Sequence, residues 1–159
     1  MIPTYQGVHR LERVILPLLS ESDLFEVIVV VDGCRDGSME LLEKMAGADA
    51  RVKPIFIENG GEMRARAAGL AQAEGQVVLF IDHDVVAEPG LVSGHARKHR
   101  EGKRLLVLGY MPVQLPPRRG RDDFSTRLYA EGYEERCSIY DEDPVSVLRE
   151  LWGGNFSLR

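Results

Sequence analysis

Val77-Val78-Leu79-Phe80-Ile81, followed at once by Asp82-His83-Asp84, is the stretch of this sequence whose reading decides the fold. Five large apolar residues in a row read as a strand covered on both faces. The run ends at two carboxylates one residue apart. Acids placed where a buried strand stops point into a cleft, and oxygen-only ligands suit Mg²⁺ or Mn²⁺ rather than zinc. A cation held there would carry phosphates.

Outward from this run the chain alternates helix and strand signals. Leu11, Val14, Ile15, Leu18 and Leu19 recur at i, i+3, i+4, i+7 and i+8, the stripe of an amphipathic helix. Residues 25–31 are nearly all apolar and read as a central parallel strand. Asp36-Gly37-Ser38 starts a helix with Leu41, Leu42 and Met45 on one face, and Asp36 or Ser38 can serve as its N-cap. Residues 52–57 form a shorter strand. Residues 62–74 are Ala- and Arg-rich and helical, stopped by Gly75. Pro89 opens a helix running to about His99. Residues 105–108 make another strand. This order predicts a doubly wound, mostly parallel α/β sheet with right-handed crossovers. After Tyr110 the pattern decays. Pro112, Pro116, Pro117, Arg118, Arg119 and Arg121 form an extended basic loop, residues 122–136 are polar with helical character, and residues 145–152 read as a short helix ended by Gly153-Gly154.

A chain of 159 residues supports one domain with a real core. A net charge of −5 argues against a non-specific nucleic-acid surface. Cys34 and Cys137 have neither metal-ligand spacing nor a disulfide framework, and read as free thiols in a reducing compartment. No apolar stretch approaches the ~20 residues of a membrane span. Pro3, Thr4, Tyr5 and Gln6 interrupt any signal-peptide core. The expectation is a cytoplasmic domain, with membrane attachment through residues outside this chain left open.

Ligands of open α/β sheets bind beyond the carboxyl ends of the strands. Three segments meet that condition: Pro3-Thr4-Tyr5, residues 32–38, and Asp82-His83-Asp84. Asp32 can accept hydrogen bonds from a base or ribose, or it can be a turn acid beside Gly33. Arg64 and Arg66 follow Gly60-Gly61, where one guanidinium can fork onto phosphate or base, or both can lie on a solvated helix face. Strand alternation aims His83 away from its acidic neighbours, toward a supporting role. His95 and His99 are four apart on a helix, and without a third ligand they read as core or surface residues. Asn155-Phe156-Ser157 matches a glycosylation sequon, expected to be coincidental without secretion. Asp141-Glu142-Asp143 reads as a solvated acidic loop.

Taken in order, five segments resemble glycosyltransferase family 2, whose fold is GT-A. Ile2-Pro3-Thr4-Tyr5 is similar to the family's IPTYN opening. Residues 29–38, VVVDGCRDGS, resemble VVDDGSTDGS, with Val31 in place of the first Asp. Residues 64–70, RARAAGL, resemble ARNxGL, with Ala67 where Asn is usual. Residues 75–84, GQVVLFIDHD, are similar to GEYIxFLDADD, which carries the metal-binding DxD. Residues 153–159, GGNFSLR, look like the acceptor-side GGNxAFRR.

The resemblance implies a Rossmann-like nucleotide-sugar-binding fold. Residues 1–110 would be the nucleotide-sugar half, and 111–159 a partial acceptor-side region of the same domain. It implies an inverting, metal-dependent transfer from a nucleotide sugar, a UDP-sugar by family preference, to a saccharide, lipid or protein. Pro3 and Tyr5 would border the uracil, Asp32 would bond the base, and Arg66 would contact base or phosphate. Asp82 would lie near ribose and metal, Asp84 would ligate the Mn²⁺ or Mg²⁺ bridging the phosphates, and Asn155 with Gly153-Gly154 would border sugar and acceptor. The family's general base is an acid on a helix beyond GGN, which here falls past Arg159. The family's first strand runs several residues before IPTY, and here only Met1-Ile2 precede Pro3. A shortened central strand would leave a gap flanked by two apolar strands, so the chain reads as truncated at both ends relative to the pattern. Two other readings stand beside the transferase. One is a non-catalytic nucleotide-binding module of the same fold. The other is a haloacid dehalogenase-type phosphatase with Asp82 as nucleophile.

Overall fold

Five consecutive apolar residues, Val27 to Val31, make the spine of the first sheet. β2 (Val27–Asp32) is buried along its whole length. It pairs in parallel with β1 (Ile2–Thr4) on one side and β3 (Val52–Ile57) on the other. Strand alternation divides its side chains between two faces. Val27, Val29 and Val31 pack with Leu11, Val14, Ile15 and Leu18 of α1 (Val8–Leu19) and Leu42 of α2 (Ser38–Ala48). Ile28 and Val30 pack with Ala65 of α3 (Glu62–Ala71) on the other face. A Cβ at Gly69 of α3 would lie 3.0 Å from Val30 Cγ2 and 2.7 Å from Met1 Cγ, so glycine there lets the helix lie close on the sheet. Helices thus cover both faces, as the sequence predicts. The computed structural model describes residues 1–102, 104–115, 120 and 123–159. Of the basic loop expected from Pro112 onward, Pro116, Pro117, Arg118, Arg119 and Arg121 lie outside them.

β4 (Val78–Ile81) is the strand of the opening run. It pairs antiparallel with β6 (Asn155–Leu158), which also pairs antiparallel with β5 (Val107–Leu108). Two hydrogen bonds link this ladder to the first. The Met1 nitrogen donates to Leu79 O at 2.7 Å, and Ile81 N donates to Met1 O at 3.0 Å. A residue bonded to i and i+2 of its neighbour is the parallel pattern. Behind Met1, among the described residues, no strand lies between the facing edges of β2 and β4. A cavity of about 320 Å³ opens there, lined by Phe25, Val27, Val77, Val78 and Leu79 among others. α4 (Leu91–Glu101) precedes β5.

Several boundaries differ from the sequence reading. The Ala-rich helix ends at Ala71, short of Gly75. The strand at 105–108 shrinks to two residues. The residue before α2 is Gly37, in the left-handed region with φ 91°. The Asp36 carboxylate nevertheless accepts from Ser38 N at 3.1 Å. β6 is absent from the sequence reading.

Contacts divide the chain into two compact units, Met1–Gly109 with Gly153–Arg159, and Tyr110–Trp152. In the second, α5 (Phe124–Glu142) is longer than the stretch 122–136 suggested and takes in Asp141 and Glu142, which were expected in a loop. The segment read as a helix over 145–152 is a 3-10 turn, Pro144–Leu148, with the Asp143 side chain accepting from Val145 N. Tyr133 and Tyr140 are its buried aromatics. Tyr140 OH donates to Glu150 O at 2.6 Å and accepts from Trp152 N at 3.2 Å. No helix among the described residues is long and apolar enough to cross a membrane.

Candidate functional site

The carboxyl ends of β1, β2 and β4 meet at one rim of the first unit. Pro3, Thr4, Tyr5, Asp32, Asp82 and Asp84 line one cavity of about 220 Å³ there, with Glu62 and His83 beside them. Three separate sequence segments therefore converge on one site.

Asp32 is buried at the tip of β2. Its carboxylate accepts the backbone N–H groups of Gly60 at 2.8 Å and Gly61 at 2.9 Å. Asn59 Nδ2 donates to the Asp32 carbonyl at 3.1 Å. Gly33 follows with φ 71°, and a Cβ there would come within 2.4 Å of Asn59 N. The acid thus braces the turn and also faces the cavity. The turn-acid reading of Asp32 describes these contacts.

Arg66 has close partners of its own. Its Nη2 donates to Asp82 Oδ1 at 2.7 Å and to Gly153 O at 3.0 Å, and lies 2.5 Å from Glu62 Oε1. Its guanidinium sits 5.4 Å over the Phe156 ring. Arg64 is exposed. Burial pushes the Asp82 carboxyl above the ordinary range, Arg66 opposes that, and the nearby Glu62 and Asp84 reinforce it. Glu62 carried no sequence signal, and only the fold brings Gly153 of the GGN-like segment to Arg66.

Asp84 is open to solvent, with Arg10 Nη1 at 4.0 Å. His83 is not directed away from the acids as alternation suggests. β4 ends at Ile81 and the chain turns at 83–84, so the two-residue period no longer applies. The His83 ring lies against Gly7, and its Nε2 is 3.4 Å from Arg10 Nη1. Asn155 is buried in β6 beside Gly109 and His95, and it is not among the residues lining the cavity. His95 and His99 are core residues, each 2.8 Å from Ser157 Oγ.

Among the described residues no three His, Cys, Asp or Glu side chains form a ready metal cage. The donors present still fit a magnesium-type ion. Asp84 offers an exposed carboxylate, Asp82 a second beside it, and such ions keep water and substrate phosphates in their remaining positions.

The comparisons with known proteins agree with this architecture. The profile of Glycosyl transferase family 2 matches residues 1–148. The glycosyltransferase YfnE of Bacillus subtilis is 28% identical over 155 residues, covering 96% of this chain and 35% of YfnE. The poly(ribitol-phosphate) beta-N-acetylglucosaminyltransferase TarS of Staphylococcus aureus is 33% identical over 89 residues, 53% of this chain and 15% of TarS. A structure of TarS residues 1–349 in complex with UDP superposes with a TM-score of 0.62 at 26% identity, covering 76% of this chain and 36% of that one. The mannosyltransferase PcManGT of Pyrobaculum calidifontis, solved with GDP-Man and Mn²⁺, has a TM-score of 0.64 at 16% identity over 99% of this chain and 42% of its own, a likeness of fold. The chain spans about a third or less of the length of these curated relatives. The phosphatase reading of Asp82 falls with these matches: the fold is GT-A, and the chain belongs to glycosyl transferase family 2.

Proposed function

We propose that this chain carries the donor site of an inverting glycosyltransferase that takes a UDP-sugar with Mn²⁺ or Mg²⁺. One observation supports the reading above all: Asp32 at the end of β2, Asp82 and Asp84 beyond β4, and Pro3 and Tyr5 at the end of β1 border one cavity. The half-exposed Tyr5 ring offers a face for the base. Asp32 can accept from the base imide while the Gly60 and Gly61 amides hold its carboxylate in place. Asp84, with Asp82 beside it, would hold the cation. The cation would supply Lewis-acid compensation for charge developing on the departing diphosphate. Arg66 keeps Asp82 oriented and offsets its charge. The acceptor hydroxyl requires a base to take its proton.

Titration calorimetry with UDP and Mn²⁺ tests the donor site. Binding is expected for the parent and lost in Asp84→Ala at unchanged circular dichroism. An Asp84→Ala protein that binds UDP-Mn²⁺ like the parent overturns the assignment.

A further inference from the structure

Arg10, His83 and Gly7 come together beside Asp84. Arg10 projects from the first turns of α1, with its Nη1 4.0 Å from Asp84 Oδ2 and 3.4 Å from His83 Nε2. His83 stands where the family pattern has Ala. Gly7 makes room for it: a Cβ at Gly7 would lie 3.1 Å from His83 Cδ2 and 2.4 Å from Thr4 Oγ1. α1 is itself fixed at this end, because Val8 N donates to Asp36 Oδ2 at 3.1 Å. The guanidinium thus lies 4.0 Å from an Asp84 carboxylate that is open to solvent. Arginine cannot lose its charge, so it competes with any cation for Asp84.

We propose that Arg10, steadied by His83, is a positioning residue that occupies the cation side of Asp84 and makes metal binding depend on the nucleotide. This rests on the donor-site reading above. A free divalent ion must displace the guanidinium from Asp84. An arriving diphosphate offers that guanidinium better acceptors, since arginine forks onto phosphate oxygens. Asp84 is then released to the metal that accompanies the diphosphate. UDP and Mn²⁺ favour each other reciprocally, as linkage requires, and Arg10 contributes part of the coupling.

The test measures Mn²⁺ alone by water-proton relaxation, and UDP with and without Mn²⁺ by calorimetry, in the parent, Arg10→Ala, Arg10→Lys, His83→Ala and Asp84→Asn. Exposed ion pairs of this kind are weak, so Arg10→Ala should tighten Mn²⁺ alone by about twofold to fivefold. It should also weaken metal-free UDP and reduce the factor by which each ligand enhances the other. His83→Ala should move Mn²⁺ affinity the same way by less, and Arg10→Lys should stay near the parent. Thermal melts of each variant exclude loss of fold, and Arg10→Gln replaces Arg10→Ala if the latter melts early. Unchanged or weaker Mn²⁺ binding in Arg10→Ala (or in Arg10→Gln where it replaces it), with Asp84→Asn inactive in UDP-Mn²⁺ binding, overturns the role of Arg10 alone. Full UDP-Mn²⁺ binding by Asp84→Asn overturns the donor-site reading beneath it.

Discussion

At the residue scale the most economical side chain is Asp36. One carboxylate accepts from Val8 N, Ser38 N and the Cys34 thiol, and so holds the start of both α1 and α2. Burial works against its ionised form, but the bonds from Ser38, Val8 and Cys34 outweigh it and bring the pKa down to about 2. The linkage sign follows. The unfolded chain takes up a proton near the ordinary value of 3.8 and the folded chain only near 2, so the stabilisation is whole above 3.8 and lost as pH falls toward 2. Asp36→Asn, which keeps an acceptor, should flatten the acid limb of the stability profile. Asp36→Ala should cost about 1–2 kcal/mol at neutral pH, the range for a lost cap, in urea melts. Arg66 makes the converse case. Asp82 is already raised by burial, and Arg66 is what restrains it. In Arg66→Gln a carboxyl-carbon NMR titration should find Asp82 ionising at higher pH than in the parent. The sequence marked Arg66 and Asp82 as site residues but left their pairing invisible, because 16 positions separate them and only the fold closes that distance.

Elements were legible where burial repeats with a period and illegible where a single long-range pairing creates them. β2 and β3 show continuous or near-continuous apolar runs, and α1 shows its stripe, so each was read nearly to its ends. β6 is four residues, Asn-Phe-Ser-Leu, with only two large apolar side chains. What makes it a strand is its seat between β4 and β5, where Phe156 stacks on Phe80 with ring centres 4.7 Å apart. The same seat explains the histidines of α4. The hydroxyl of Ser157 lies between His95 Nδ1 and His99 Nε2 in a dry core, able to donate to one and accept from the other. Ser157→Ala leaves both ring nitrogens without this partner, and should cost about 1–3 kcal/mol in chemical denaturation, the penalty for unsatisfied buried polar groups. Burial depresses the His95 pKa, Asn155 partly restores it and His99 depresses it further. The unfolded chain therefore binds the proton first, and this joint should lose stability as pH falls below about 6.5. His95→Gln should remove that slope from the pH profile. Asn155, buried beside this pair, is also closed to a glycosylating enzyme in the folded state.

At the scale of the whole molecule, apolar burial is unevenly shared. Both aliphatic core clusters draw their buried members from residues 2–87, on the two faces of β2. The alternation of helix and strand that produces them is a local property of sequence, which is why the α/β class and the rim of the site could be read without coordinates. The second unit, Tyr110–Trp152, follows another rule. Its buried aromatic side chains are Tyr133 and Tyr140, and much of its internal order is polar: Tyr140 OH to Glu150 O, Trp152 Nε1 to Tyr129 OH at 2.6 Å, and Arg136 to Glu150 at 2.7 Å. Such contacts have no periodic signature, so the outline of this unit was not legible before the fold. They also stabilise less than a dry aliphatic core, because exposed ion pairs contribute about 0–1 kcal/mol each. Along α5, Phe124, Leu128 and Tyr129 are at least half exposed, whereas every residue of β2 is buried. Local opening follows the density of buried apolar contacts. Amide hydrogen exchange read by mass spectrometry should therefore show peptides from 124–142 fully deuterated while those from 27–32 still retain protium. Equal protection of the two would mean that the second unit is held by something stronger than the contacts named here.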